Sequence, residues 1–181
     1  MTAGVAAWSL STRILHWIGA AAILFMLALG FAMVNLIHEQ GLRFDLYQFH
    51  KSLGLLVLFF MAMRAIWRFA RPTPEPIATI SAWQMKAARA MHGALYALAI
   101  ATALAGYASV STSSLPLPVA LPFGLHAPNL LAPDEALSRA LRRAHHVFAG
   151  LLAICVAGHV AAALKHHFID RDATLARMRP Y

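Results

Sequence analysis

Residues 144–167 read AHHVFAGLLAICVAGHVAAALKHH, and this stretch predicts the architecture of the whole chain. His145 and His159 stand fourteen residues apart in it, among residues that are almost all apolar or small. At about 100° per residue, the two imidazoles leave the same face of an α-helix, about 21 Å apart along its axis. The hydrocarbon layer of a bilayer is about 30 Å thick, so one histidine is expected near each edge of a membrane. A ligand at each side is typical of a helix that serves two haems.

The composition is that of a membrane protein. Of the 181 residues, 60% are hydrophobic and 12% are charged, and a soluble domain of this size could not bury so much apolar surface. Ten histidines against seven acidic residues indicate metal or haem ligation. With Cys155 as the single cysteine and no C-x-x-C-H motif, covalent c-type haem and internal disulfides are excluded. The formal net charge of +8 favours anionic lipid over nucleic acid as the partner, because the apolar segments require a membrane.

Four apolar segments are long enough to cross a bilayer as helices, and they predict one transmembrane domain over residues 1–181. The predicted spans are residues 11–37, 46–70, 82–110 and 134–167. The first segment could instead be a signal peptide, but its apolar run is long for one and its removal would discard His16. The fold class is therefore all-α, an integral membrane four-helix bundle.

Two connecting segments differ in character. Residues 71–76 contain three prolines and cannot continue a helix. Residues 111–133 hold five of the nine prolines and many leucines, so they are expected to be apolar without being helical throughout. This loop should lie against the membrane surface or over the bundle.

The distribution of Lys and Arg predicts the orientation. Ten of the fifteen flank the side that carries the two chain termini. The five on the opposite side are Arg43, Lys51, Arg139, Arg142 and Arg143. Because cytoplasmic flanks carry the excess of Lys and Arg, both termini are expected in the cytoplasm.

Four histidines occupy two matched depths in these spans, and each is a candidate ligand because an ionisable side chain inside a membrane is costly. A single one could equally be a neutral histidine bonded to a backbone carbonyl. Ligation of b-type haem by two histidines needs one imidazole from each of two facing helices. The predicted pairs are His16 with His159 toward the cytoplasm, and His50 with His145 toward the outer side.

Small residues three or four positions after these histidines would leave room for a flat macrocycle. They are Gly19, Ala20, Gly54, Ala149, Ala162 and Ala163. Tight packing of membrane helices favours the same residues. His92 has Leu95 and Tyr96 in those places, so it is expected to contact a ligand or a haem propionate instead of binding iron. His166 is expected to contact a headgroup or a propionate. His146 lies about 100° around the helix from the face that His145 shares with His159, so His145 is preferred to it as the ligand.

Several segments together resemble the bacterial cytochrome b561 family, and the resemblance runs through nearly the whole chain. They are residues 13–17 (RILHW), 50–54 (HKSLG), 64–68, 143–168 with the fourteen-residue gap between histidines, and 172–180. One departure lies in the third span, where family members often have a proline before the glycine and this chain has Ala103-Leu104-Ala105-Gly106. The third span therefore has no proline at this position to kink it.

The resemblance implies a bacterial inner-membrane cytochrome with two non-covalent b haems, and His16, His50, His145 and His159 as their axial ligands. It also implies oxidation of superoxide at the outer face and reduction of ubiquinone, a superoxide:ubiquinone oxidoreductase. Arg43, Lys51, Arg139, Arg142 and Arg143 are expected to steer the superoxide anion. Pairing of these residues with haem propionates or lipid phosphates is the plainer interpretation.

Two other functions fit the sequence less well. The chain could be an electron-transfer cytochrome subunit that docks a dehydrogenase, a hydrogenase or a periplasmic redox partner, with residues 111–133 as the docking surface. It could also be a transporter with a histidine proton relay, but the apolar spans lack the Asp or Glu that such relays use.

Overall fold

The computed structural model describes residues 7–72, 74–75, 77, 80–115 and 117–179. Four long helices make up most of this part of the chain: α1 (Leu10–Asn35), α2 (Gln40–Ala70), α3 (Ala82–Ser111) and α4 (Glu135–Lys165). All four are long and apolar enough to cross a membrane. The prediction of an all-α, four-helix membrane bundle is thus confirmed.

The helix boundaries differ from the predicted spans most clearly at α2. This helix begins at Gln40, six residues before the predicted start, because the Glu39 carboxylate caps it by accepting hydrogen bonds from the backbone N–H groups of Leu42 and Gly41. The same two bonds lower the pKa of Glu39 below its usual value. With 31 residues, α2 is about 46 Å long and extends well beyond a hydrocarbon layer of about 30 Å.

The start of α1 and the C-terminal tail up to Arg179 lie at the same end of the bundle, which we call the terminal end. There Trp17 Nε1 donates to the carbonyl of Met178 at 2.7 Å, and Arg13 Nη1 donates to the carbonyl of Arg179 at 2.6 Å. Arg177 Nη1 donates to the carbonyl of Glu75 in the link between α2 and α3 at 2.6 Å. These bonds hold the C-terminal tail across the start of α1 and the link.

The segment between α3 and α4 forms a small antiparallel hairpin at the opposite end, which we call the hairpin end. Its strands are β1 (Val119–Ala120) and β2 (His126–Ala127). Val119 is buried against α2, and the Tyr107 hydroxyl of α3 donates to the carbonyl of Pro128. The loop was expected either against the membrane surface or over the bundle, and in the structure the hairpin lies over the bundle.

Consecutive helices pack against each other, and α3 and α4 pack most closely. Within the described residues, the backbone of α4 stays largely apart from those of α1 and α2. The apolar core lies near mid-height and is built from Val57, Met61, Ala99 and Leu152. Leu152 is midway in sequence between His145 and His159, so the core separates the two ends of the bundle.

A buried serine joins α3 to α4 at the hairpin end. The Ser138 hydroxyl donates to the carbonyl of Ser109 at 2.8 Å, and Ser138 is 1% exposed. We predict that Ser138→Ala lowers the free energy of unfolding by about 0.5–1.5 kcal/mol, because it removes this interhelical bond. Thermal unfolding in detergent measures the loss. Ser52→Ala is the matched control, because its hydroxyl bonds within its own helix to Gln48; equal unfolding temperatures of the two variants would contradict the prediction.

Candidate functional site

The fourteen-residue spacing of the two histidines in α4 recurs in the other three helices. It relates His16 to Gly30 in α1, His50 to Arg64 in α2, and His92 to Gly106 in α3. Because neighbouring helices are antiparallel, these residues form two layers. The hairpin-end layer contains Gly30, His50, Gly106 and His145, and the terminal-end layer contains His16, Arg64, His92 and His159.

In the hairpin-end layer two imidazoles face each other between two glycines. The ring centroids of His50 and His145 are 6.2 Å apart. A Cβ atom on Gly106 would lie 2.8 Å from His145 Nδ1, and one on Gly30 would lie 3.5 Å from His50 Cε1. Gly106 is therefore required for the close approach of α3 to the His145 ring.

Hydrogen bonding orients one ring of this pair. His145 Nδ1 lies 2.8 Å from the carbonyl oxygen of Thr102, so Nδ1 carries the hydrogen and donates it. Nε2 is thereby left with its lone pair free. His50 Nδ1 is buried and has no hydrogen-bond partner among the described residues.

The terminal-end layer has three histidines and a cation. The ring centroids of His16 and His159 are 6.3 Å apart, and those of His92 and His159 are 5.4 Å apart. The half-buried Arg64 guanidinium donates from Nη2 to His16 Nδ1 at 2.9 Å and stacks over the ring of Tyr96. His92 thus belongs to this layer and lies beside His159, one of the residues predicted to bind iron.

The separation of the rings tests whether an iron ion fits between them. A metal–imidazole nitrogen bond is about 2.0–2.1 Å long, and the ring centroid lies about 1.1 Å behind the nitrogen, so two axial imidazoles have centroids about 6.3 Å apart. The pairs His16–His159 and His50–His145 match this separation. The distance from His92 to His159 is almost 1 Å too short for an ion between them.

The two layers differ in whether the Nε2 atom of a histidine is free to bind a metal. In the hairpin-end layer the His145 tautomer presents Nε2 as a free ligand. In the terminal-end layer His16 Nδ1 accepts from Arg64, so a neutral His16 carries its hydrogen on Nε2. Metal binding at Nε2 of His16 therefore requires Arg64 to give up this bond.

The small residues next to the predicted ligands serve partly in helix packing. A Cβ atom on Gly19 would lie 3.1 Å from Met61 of α2, and one on Gly54 would lie 3.4 Å from Met26 of α1. These two glycines bring α1 and α2 together, as in tight packing of membrane helices. Room beside a histidine comes instead from Gly30 and Gly106. The sequence contained their signal, because each lies fourteen residues from a histidine of the other layer.

His166 lies beyond the terminal-end layer, in a π-helical turn over His166–Asp170. Its Nδ1 is 2.6 Å from Asp172 Oδ2 and 3.3 Å from Asp170 Oδ2. Burial alone would raise the pKa of Asp172, but hydrogen bonds from Thr174 and His166 outweigh it and lower that pKa. In the structure, His166 is thus paired with two carboxylates of the C-terminal tail.

The five basic residues of the predicted steering group lie at the hairpin end. Arg139 and Arg142 are exposed and approach Glu135 at 3.9 and 3.8 Å. Counted around α4, Arg142 lies about 60° from His145, whereas Arg139 and Arg143 lie about 120° and 160° away. Lys51 follows His50 directly, and Arg43 lies two turns before it in α2.

Comparison with known proteins identifies the family of this chain. The family profile described as prokaryotic cytochrome b561 matches residues 7–181. The chain belongs to this family. It is 36% identical to cytochrome b561 homolog 2 of Escherichia coli K12 over 164 residues, which is 90% of this chain and 86% of the relative. It is 31% identical to homolog 1 of the same strain over 131 residues, 72% of this chain and 73% of the relative.

A more distant relative has a more specific name. The chain is 26% identical, over 171 residues, to a probable superoxide oxidase CybB of Yersinia pestis, with 92% of each protein covered. Membership of the cytochrome b561 family makes this chain a multi-pass electron-transfer protein of a bacterial membrane with b-type haem as its cofactor. The two pairs of facing imidazoles fit that cofactor.

The close approach of Gly106 to His145 predicts a specific defect. In Gly106→Ala the new Cβ would displace the His145 ring from the Thr102 carbonyl, so the content of b-type haem should fall, as pyridine haemochrome analysis would measure. The higher helix propensity of Ala would by itself stabilise α3 by about 1 kcal/mol relative to Gly, so a loss of haem could not be attributed to a weaker helix. Gly93→Ala and Gly150→Ala are the controls, because a Cβ atom at either position would have nothing within 4 Å. Full haem content and an unchanged spectrum in Gly106→Ala would contradict the prediction.

Proposed function

We propose that this member of the cytochrome b561 family binds two b haems, one in each layer. His50 and His145 would hold one haem iron at the hairpin end, and His16 and His159 would hold the other at the terminal end. The observation that carries the proposal is the pair of ring separations, 6.2 and 6.3 Å, at opposite ends of one bundle. Bound haem supplies reversible one-electron chemistry.

Other residues of the chain orient and tune these sites. The Thr102 carbonyl holds the ring and the tautomer of His145, which leaves its Nε2 free as a ligand. Arg64 has no carboxylate within ion-pair distance in the part of the chain that the structure describes. A half-buried cation of this kind suits a haem propionate. The apolar core around Leu152 excludes water between the layers.

Substitution of single histidines tests the ligand pairs. We predict about two haems per chain in the parent protein by pyridine haemochrome analysis. His16→Ala or His159→Ala should remove the terminal-end haem, and His50→Ala or His145→Ala the hairpin-end haem, because each iron loses an axial ligand. His92→Ala is the matched control and should keep both, since its ring is too close to His159 for an ion between them. Loss of a haem from His92→Ala with retention of both in His16→Ala would reverse the terminal-end assignment.

We further propose a specific reaction, in which the protein oxidises superoxide and reduces ubiquinone. Two superoxide anions give up one electron each to form two O₂, and ubiquinone takes the two electrons with two protons to form ubiquinol. The name of the relative from Yersinia pestis supports this reaction, as do the basic residues of the hairpin end. The excess of Lys and Arg at the terminal end supports a periplasmic hairpin end and cytoplasmic termini, in the bacterial inner membrane.

Among the basic residues, Lys51 and Arg142 are best placed to attract an anion to the hairpin-end pair. Lys51 is next to His50, and Arg142 is about 60° from His145 around α4. Positive charges near a small reactive centre raise the encounter rate of an anion, and salt screens them over about 8–10 Å. Superoxide can transfer its electron without binding in a specific pocket.

The double variant Lys51→Gln/Arg142→Gln tests this steering. We predict that superoxide reduces the protein several-fold more slowly and that the rate depends less on ionic strength, because the attracting field is weaker. The measurement is stopped-flow absorbance of the haem, with haem content checked for each protein. Lys86→Gln/Arg89→Gln removes the same charge at the terminal end and should behave as the parent. A parent rate with a parent salt dependence in the first variant would refute steering by these two residues.

The second candidate function is docking of a redox protein, and the hairpin favours it. Phe123 at its turn is 99% exposed and Leu125 is 61% exposed, and apolar side chains at such a turn suit a protein contact. The isolated chain distinguishes the two functions. Reduction by superoxide, with ubiquinol formed from added ubiquinone, supports the first, whereas a chain that takes electrons from a protein donor alone supports the second.

A further inference from the structure

The exposed side of α4 carries an open basic pocket that contains none of the histidines proposed to bind haem. It is lined by Arg139, Arg142, Arg143 and His146 and has a volume of about 220 Å³. These residues recur at the spacing of one helix face. Glu135 approaches two of the arginines at 3.8–3.9 Å, so three positive charges face one carboxylate and a surplus of two remains.

This face lies to one side of His145 on the same helix. Arg143 lies about 160° from His145 around the helix axis, Arg139 about 120°, His146 about 100° and Arg142 about 60°. The same side of α4 continues toward mid-membrane with exposed apolar residues, among them Val147 at 59% and Ile154 at 70% exposure. Ile154 is eleven residues after Arg143 and therefore almost directly below it on the helix. The pocket is thus the upper end of a surface that faces lipid.

The depth of the pocket matches the level of lipid phosphates. His145 and His159 are about 21 Å apart along α4, so in a layer about 30 Å thick each lies about 4–5 Å inside the hydrocarbon edge. Arg143 lies about 3 Å above His145, and Arg139 about 9 Å above it. The pocket therefore spans the boundary between hydrocarbon and headgroups.

We propose that this pocket binds the headgroup phosphate of an anionic phospholipid, with the acyl chains along Val147 and Ile154. A phosphodiester offers acceptor oxygens to the forked donors of arginine, and the surplus of positive charge selects an anionic lipid over a zwitterionic one. The position at the hydrocarbon edge makes lipid the source of the phosphate. The site is separate from the haem pairs, so the proposal does not rest on the electron donor.

Native mass spectrometry of the haem-loaded, full-length protein in detergent tests the site. With added phosphatidylglycerol, the parent should retain one lipid per chain more strongly than it retains phosphatidylcholine. Arg139→Gln/Arg143→Gln should bind phosphatidylglycerol about thirtyfold more weakly, from roughly a fivefold loss for each basic residue at a membrane surface. Arg139→Lys/Arg143→Lys keeps both charges and should stay within about fivefold of the parent.

Lys86→Gln/Arg89→Gln is the matched control, because it removes two exposed cations from the start of α3 at the other end of the bundle. It should bind phosphatidylglycerol as the parent does, and the haem absorbance of all variants should be equal. Parent-like binding in Arg139→Gln/Arg143→Gln would overturn the proposal, as would equal weakening of both Gln variants or equal affinity of the parent for phosphatidylcholine. A dimer mass in the parent that disappears in Arg139→Gln/Arg143→Gln would assign this face to a second copy of the chain and would also overturn it.

Discussion

An α-helix returns to the same face after fourteen residues and advances about 21 Å in doing so, and the arrangement of this bundle depends on that constraint. Two side chains at this spacing both fit inside a hydrocarbon layer of about 30 Å, one near each edge. Four consecutive antiparallel helices repeat the spacing, so their special residues meet in two layers. Each layer is then held at a defined depth by the backbone itself, without any loop at the site.

The composition of the two layers makes the ends of the bundle chemically different. The hairpin-end layer alternates glycine and histidine, is neutral, and already holds His145 in the tautomer that leaves Nε2 free. The terminal-end layer has three histidines and the guanidinium of Arg64. A fixed positive charge favours an additional electron nearby, since opposite charges attract more strongly away from water. Under the proposed function, this asymmetry favours electron flow from the hairpin end toward the terminal end.

Two faces of α4 carry different groups of residues. One face presents His145 and His159 toward α2 and α1, from which its backbone stays largely apart. An adjacent, exposed face carries arginines above exposed apolar side chains such as Ile154. Close packing on α3, with Ser138 bonded to the carbonyl of Ser109, fixes the rotation of α4 and so keeps the two faces apart.

The sequence by itself determined the fold class, the number of helices and the depths of the histidines, because apolar length and helical period act along one chain and are unaffected by neighbours. The sequence also predicted the histidine pairs, but only the tertiary structure placed His92 closer to His159 than His16 is, at ring separations of 5.4 and 6.3 Å. The tertiary structure also decided that Gly106 approaches His145, that Arg64 bonds to His16, and that α2 begins at Gln40. These features depend on the rotation and separation of the helices or on a local cap, and hydrophobic periodicity carries no information on either.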